Sequence, residues 1–207
     1  FAGHQFLCDP RALIPRSPIA ELIDSKFQPL LKRAPIRVLD LCAGGGCIGI
    51  SCALRFPGCH VDLAELCADA CELAAANVAL YKLSPRVSVL RSDLFSALTE
   101  TYDLIISNPP YVSRQEIAAL PEEYGHEPEL GLLSEDGGLA LPLQILREAA
   151  DFLSADGVLI LEVGYSRAQL STRLKTVPLG WLEFARGGEG VLALTRNQLQ
   201  QYDRLFN

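Results

Sequence analysis

Ile36-Arg37-Val38-Leu39-Asp40-Leu41-Cys42-Ala43-Gly44-Gly45-Gly46 decides how this chain folds. The first six residues are a short, mostly apolar run and read as a buried strand. Three glycines follow, and Gly46 to Leu54 then reads as a helix. Glycines after a strand let the backbone pass close to a ligand and start a helix tightly. Gly44, Gly46 and Gly49 satisfy G-x-G-x-x-G literally, a weak signal that a dinucleotide site shares. Asp40 separates the two readings. A carboxylate at the strand's end repels a pyrophosphate but suits a cationic group such as an amine.

The same alternation continues outward. Cys59 to Glu65 reads as a second strand, Asp69 to Tyr81 as an Ala-rich helix, Arg86 to Leu90 as a third strand and Tyr102 to Ser107 as a fourth. Leu139 to Leu153 reads as a helix stopped by Asp156-Gly157. Val158 to Val163 is a fifth strand and Ser166 to Lys175 a helix. Trp181 to Ala185 and Val191 to Thr195 flank a glycine-rich turn and read as a terminal hairpin. Near the start, Phe6 to Ile14 suggests a small hairpin, and Ser17 caps a helix opened by Pro18. Strand–helix alternation dictates an α/β fold with a mostly parallel sheet covered on both faces. Ligands of such sheets sit beyond the carboxyl ends of the strands. The loops after Leu41, Glu65, Leu90 and Ser107 are therefore expected to converge.

The 207 residues are 49% hydrophobic and 21% charged, which excludes a disordered chain. No uncharged stretch reaches the roughly 20 residues of a bilayer span, and no secretory leader is visible. A net charge of −7 makes the chain a poor default nucleic-acid binder and steers it toward a basic protein partner. The seven cysteines include no C-x-x-C and read as reduced thiols of a cytoplasmic protein, with no metal site expected. His4, His60 and His126 have no nucleophile at a suitable spacing. The chain begins at Phe1 and has no methionine, so it reads as a fragment lacking upstream residues.

Three further places carry chemistry. Glu65 ends the second strand, and an acid roughly 20 residues past such a glycine loop takes ribose hydroxyls. Leu66 beside it offers a flat base an apolar surface. In Ser92-Asp93-Leu94-Phe95, Asp93 suits an exocyclic amine, although a helix cap explains it equally well. Asn108-Pro109-Pro110-Tyr111 is the sharpest signal. Two prolines remove two donors and stiffen the turn. The Asn108 side-chain oxygen and the Pro109 carbonyl become fixed acceptors suited to a planar –NH₂ group, and Tyr111 supplies an apolar wall.

Together these residues resemble class I S-adenosylmethionine-dependent methyltransferases that modify an amide or amino nitrogen. More closely, the chain is similar to the HemK-type protein-glutamine methyltransferases over nearly its whole length. Within that family it resembles the PrmB branch, at residues 15–23, 47–50, 126–132, 181–184 and 187–191. The release-factor branch usually reads Pro-Arg-Pro-Glu-Thr-Glu where this chain has Pro15-Arg16-Ser17-Pro18-Ile19-Ala20. Two departures stand out: Ala43 where threonine is frequent, and Glu65 where aspartate is usual.

The resemblance implies a Rossmann-like fold, with a mostly parallel seven-stranded sheet and a C-terminal antiparallel hairpin. It implies an N-terminal hairpin and helix over residues 1–32, a catalytic domain over 33–207, and a helical substrate-recognition domain upstream. S-adenosylmethionine is the implied cofactor. Asp40, Cys42, Ala43, Gly44, Gly45 and Gly46 hold its methionine end, Glu65 and Leu66 its ribose side, and Asp93 and Leu94 its adenine. Asn108, Pro109, Pro110 and Tyr111 bind the acceptor glutamine and orient it, with Asn108 also facing the cofactor. The implied substrate is a glutamine of large-subunit ribosomal protein three, a basic protein. Leu13 to Arg16 closes the pocket from the N-terminal side, and Glu127 lines the loop beyond it. The rivals are a release-factor methyltransferase, a DNA or RNA amino-group methyltransferase, a nicotinamide dehydrogenase and a non-catalytic cofactor-binding scaffold.

Overall fold

A computed structural model describes residues 1–14, 16–110 and 136–206. Pro15, Tyr111, His126 and Glu127 lie outside the described residues. Seven strands form one sheet in the order β3-β2-β1-β4-β5-β7-β6. They are β1 (Arg37–Leu41), β2 (His60–Glu65), β3 (Val87–Arg91), β4 (Tyr102–Ser107), β5 (Leu153–Glu162), β6 (Gly180–Trp181) and β7 (Val191–Thr195). The first five pair in parallel, and β7 joins β5 and β6 antiparallel. The chain first runs outward to β3, then returns across β1 to β4. The sheet's switch point therefore lies between β1 and β4, where such folds bind ligands.

Strand periodicity sorts the apolar residues into two cores. Val38, Ile106 and Ile160 face one side, covered by α1 (Ile19–Asp24), α2 (Cys47–Arg55) and α3 (Ala68–Leu80). Leu39, Ile105 and Leu159 face the other, covered by α4 (Ala140–Phe152), α5 (Arg167–Arg173) and α6 (Arg196–Tyr202). Gly49 sets how closely α2 lies on the sheet: a Cβ there would come 2.3 Å from Leu63 Cδ2 and 2.9 Å from Asp40 Cβ. Among the described residues no helix is long and apolar enough to cross a membrane.

The expected parallel sheet and terminal hairpin are present. Three local expectations are corrected. No strand forms between Phe6 and Ile14. Instead Asn77 of α3 accepts from Leu7 N at 2.8 Å and donates to Leu7 O at 3.2 Å, taking a partner strand's place. Ser17 precedes the cap position, held by Pro18, yet its hydroxyl still accepts from Ile19 N at 3.1 Å. Asp156-Gly157 does not stop α4, which ends at Phe152. The pair lies inside β5, in an irregularity between the Tyr102–Leu153 and Leu104–Val158 pairings. α6 is an element with no counterpart among those expectations. Thr195 and Gln198 close a capping box at its start, a T-x-x-Q signal present in the sequence.

Candidate active site

The strand order sets the carboxyl ends of β3, β2, β1 and β4 side by side, so the four loops expected to converge are neighbours. Hydrogen bonds stitch them together. Ala43 N donates to Ala64 O at 3.1 Å and Ser92 N to Glu65 O at 2.9 Å. The Ser107 hydroxyl donates to Leu41 O at 2.7 Å.

Asp40 sits at the centre, 1% exposed, and its Oδ2 accepts from Gly49 N at 2.7 Å. Burial pushes its carboxyl up to about 7; the bond from Gly49 opposes the rise and the charge of Glu65 adds to it. A buried acid so placed favours a cation nearby. The glycine loop turns through left-handed conformations at Gly44 and Gly46, where glycine is at ease, and at Cys42 (φ 60°), where a side chain is strained. Its amides are largely spent internally: Gly44 N donates to Glu65 Oε2 at 2.8 Å and Gly46 N to Ala43 O at 2.8 Å. A pyrophosphate needs such donors free. The donor set therefore disfavours a dinucleotide site.

Glu65 is half-buried, and its other oxygen, Oε1, accepts from Cys67 N at 2.8 Å. The carboxylate is thus fixed in place while keeping lone pairs for further donors. Leu66 beside it is 47% exposed, an apolar surface open to a ligand. In the next loop Ser92, rather than Asp93, does the local capping: its hydroxyl accepts from Ala97 N at 3.1 Å and donates to Leu94 O at 2.6 Å. Asp93 is left exposed, with its side chain free of that task. Leu94 is buried at φ 44°, a second strained residue at this edge.

Asn108 and Pro110 are half-buried and Pro109 is buried, directly after β4. The buried Ser107 hydroxyl anchors the start of this turn to β1. Burial raises the Cys42 thiol far above its ordinary range and the Cys47 thiol to about 12, so neither supplies a thiolate nucleophile. Two polar groups at this edge escaped the sequence reading. Asn77 also donates to Gly45 O at 2.9 Å, tying the N-terminal segment to the glycine loop. Glu162, at the end of β5, accepts from the Ser17 hydroxyl at 2.5 Å. Its signal was a lone acid closing the apolar run Val158-Leu159-Ile160-Leu161.

The Methyltransferase small domain family matches residues 22–123. Among solved structures the fold is similar to a Pyrococcus furiosus methyltransferase, with TM-score 0.66, 20% identity, and coverage of 92% of this chain and 88% of that one. It is also similar to the T. thermophilus 16S rRNA methyltransferase RsmC in complex with AdoMet and guanosine, with TM-score 0.60, 20% identity, and coverage of 88% and 43%. At these identities the likeness shows the fold alone. The sequence relatives reach further. The chain is 44% identical over 209 residues to the ribosomal protein uL3 glutamine methyltransferase of Francisella tularensis, covering 100% of this chain and 67% of that protein. It is 49% identical over 201 residues to the protein of the same name from Xanthomonas campestris, covering 96% and 65%. The chain spans about two thirds of the length of these curated relatives. A methyltransferase sheet and this level of identity over nearly the whole chain lead to one conclusion: the chain belongs to the ribosomal protein uL3 glutamine methyltransferase family.

Proposed function

We propose that this protein methylates the side-chain amide nitrogen of a glutamine in ribosomal protein uL3, using S-adenosylmethionine. The observation that carries the reading is the Asn108-Pro109-Pro110 turn at the carboxyl end of β4, one strand away from the buried Asp40. The residues fit the cofactor. A buried acid and a second, fixed carboxylate suit an ammonium and a pair of ribose hydroxyls, and the spent loop amides disfavour a polyphosphate. When bound, S-adenosylmethionine supplies an electrophilic methyl group on a sulfonium.

The chain's own residues do the rest. Asp40 and the loop from Cys42 to Gly46 receive the methionine end. Glu65 takes the ribose, with Leu66 alongside, and Asp93 and Leu94 face the adenine. An amide nitrogen is a poor nucleophile because its lone pair is delocalised into the carbonyl. Asn108 Oδ1 and the Pro109 carbonyl accept its two N–H bonds, aim it along the line of transfer and stabilise the positive charge that develops; one of the two N–H protons then leaves to water, giving the neutral N-methyl amide. Placement and prepositioned dipoles then supply most of the rate. Tyr111 completes the apolar wall. The net charge of −7 suits a basic ribosomal protein as substrate.

Mass spectrometry of unmethylated uL3, incubated with S-adenosylmethionine and either wild type or Asn108→Ala, tests this. Wild type adds one methyl group to one glutamine. Asn108→Ala slows transfer by about 100-fold or more while cofactor affinity persists. A methyl group on another residue type, or full activity of Asn108→Ala, refutes the reading.

A further inference from the structure

Three stretches singled out in the sequence, 15–23, 181–184 and 187–191, take almost no part in the roles above, yet two of them interlock at one place. Gly188 (φ 102°) lies against Pro18, where a Cβ would come 2.8 Å from Pro18 Cβ. The amides of Ala185 and Arg186 donate to the Glu21 carboxylate at 3.0 and 2.8 Å. Gly190 is wedged on the loop after β5, where a Cβ would meet Gly164 O at 2.3 Å. Val163 N also donates to Gly190 O at 2.7 Å. Beside this clasp, the Ser17 hydroxyl donates to Glu162 Oε2 at 2.5 Å; the two residues are 8% and 4% exposed.

Stability alone gives no reason for a carboxyl here. Val158 and Ile160 precede Glu162 on the same face of β5, both in the apolar core under α1 and α2. A further aliphatic residue would continue that core without the cost of taking an acid out of water, which the hydrogen bond from Ser17 does not by itself repay. What distinguishes the position is its neighbour. Ser107, the last residue of β4, pairs with Leu161, so the chain leaves β4 at Asn108 one position past the pairing that Glu162 follows on β5.

We propose that Glu162, latched to Ser17, is a positioning residue for the methyl transfer. It holds the Arg16–Ile19 segment as a fixed wall beside Asn108, against which the acceptor side chain is aligned. The inference rests on the functional reading above. Glu162 acts through placement and transfers no proton, so a neutral side chain that still accepts from Ser17 serves as well. Burial, which pushes the Glu162 carboxyl up to about 7, is consistent with a group that works without a full charge.

Steady-state kinetics of the full-length protein on unmethylated uL3 test this, with calorimetry of S-adenosylmethionine binding and thermal unfolding alongside. Glu162→Ala and Ser17→Ala each lower kcat by about tenfold or more, leaving cofactor affinity in place. Glu162→Gln and Ser17→Thr restore most of kcat, and the double alanine variant is no worse than the poorer single one. Glu162→Ala with wild-type kcat overturns the proposal. So does Glu162→Gln failing as badly as alanine, and so does a loss of kcat that merely follows lost cofactor binding and a lowered unfolding temperature. A wild-type protein that transfers no methyl group to a uL3 glutamine sinks the functional reading, and this inference with it.

Discussion

At Glu65 one carboxylate serves two loops, since its oxygens accept from Gly44 N and from Cys67 N at 2.8 Å each. The acid at a strand end was visible in the sequence, but its grip on the glycine loop was not, because that bond joins residues on different strands. Glu65→Ala removes two internal bonds and, on the proposed function, an acceptor for the cofactor. We expect S-adenosylmethionine affinity to fall about tenfold or more, and stability to fall by about 1–3 kcal/mol, in calorimetry and thermal unfolding. Glu65→Gln, which keeps one acceptor oxygen, loses less of both. Cys42 and Leu94 make a related point. Their left-handed backbones mark this edge of the sheet as strained, and neither residue type announces such a conformation.

Among the elements, α3 does more than cover the sheet. Asn77 is fully buried on it and binds Leu7 through both its amide and carbonyl, and Gly45 through its carbonyl. The N-terminal segment thus stays ordered without pairing as a strand. Asn77→Leu leaves these backbone groups unpaired. We expect about 1–3 kcal/mol of destabilisation and faster hydrogen exchange at the Leu7 amide, with the sheet amides still protected. The end of α2 depends in the same way on a distant residue. Arg86 Nη2 donates to Ala53 O at 2.6 Å and Nη1 to Cys59 O at 3.3 Å. Helix periodicity located α2 correctly, whereas its C-terminal partner arrives from the loop before β3.

For the whole molecule, burial leaves a pH signature. Asp40 and Glu162 are each raised to about 7, above the values they hold in an unfolded chain. The fold therefore takes up protons at both sites. Their contribution to stability is full below about pH 4 and is lost as the pH rises through about 7. Asp103 behaves oppositely. Burial would raise it, but hydrogen bonds from Ile36, Ser154 and Arg37 and the charge of Arg33 hold it below its ordinary value. Its contribution is present at neutral pH and lost on acidification. The unfolding temperature of the ligand-free protein should fall between about pH 4 and about pH 7, and the Asp40→Asn, Glu162→Gln double variant should flatten that fall. An unchanged slope in the double variant would place the titrating groups elsewhere.

The sequence by itself determined the α/β class, the parallel sheet, the terminal hairpin and the loops that the proposed function draws on. Those features rest on local signals: periodicity of two in strands, glycines and prolines at turns, and motifs held within a few residues. The tertiary structure alone decided what long-range contacts decide. It turned the expected Phe6–Ile14 hairpin into a segment tied to Asn77, carried β5 back through Asp156-Gly157 to Leu153, and spent the glycine-loop amides on Glu65 and Ala43. It also set Ser17 against Glu162, 145 positions away. Hydrogen bonds between distant residues leave no periodicity in the chain, so only folding reveals them.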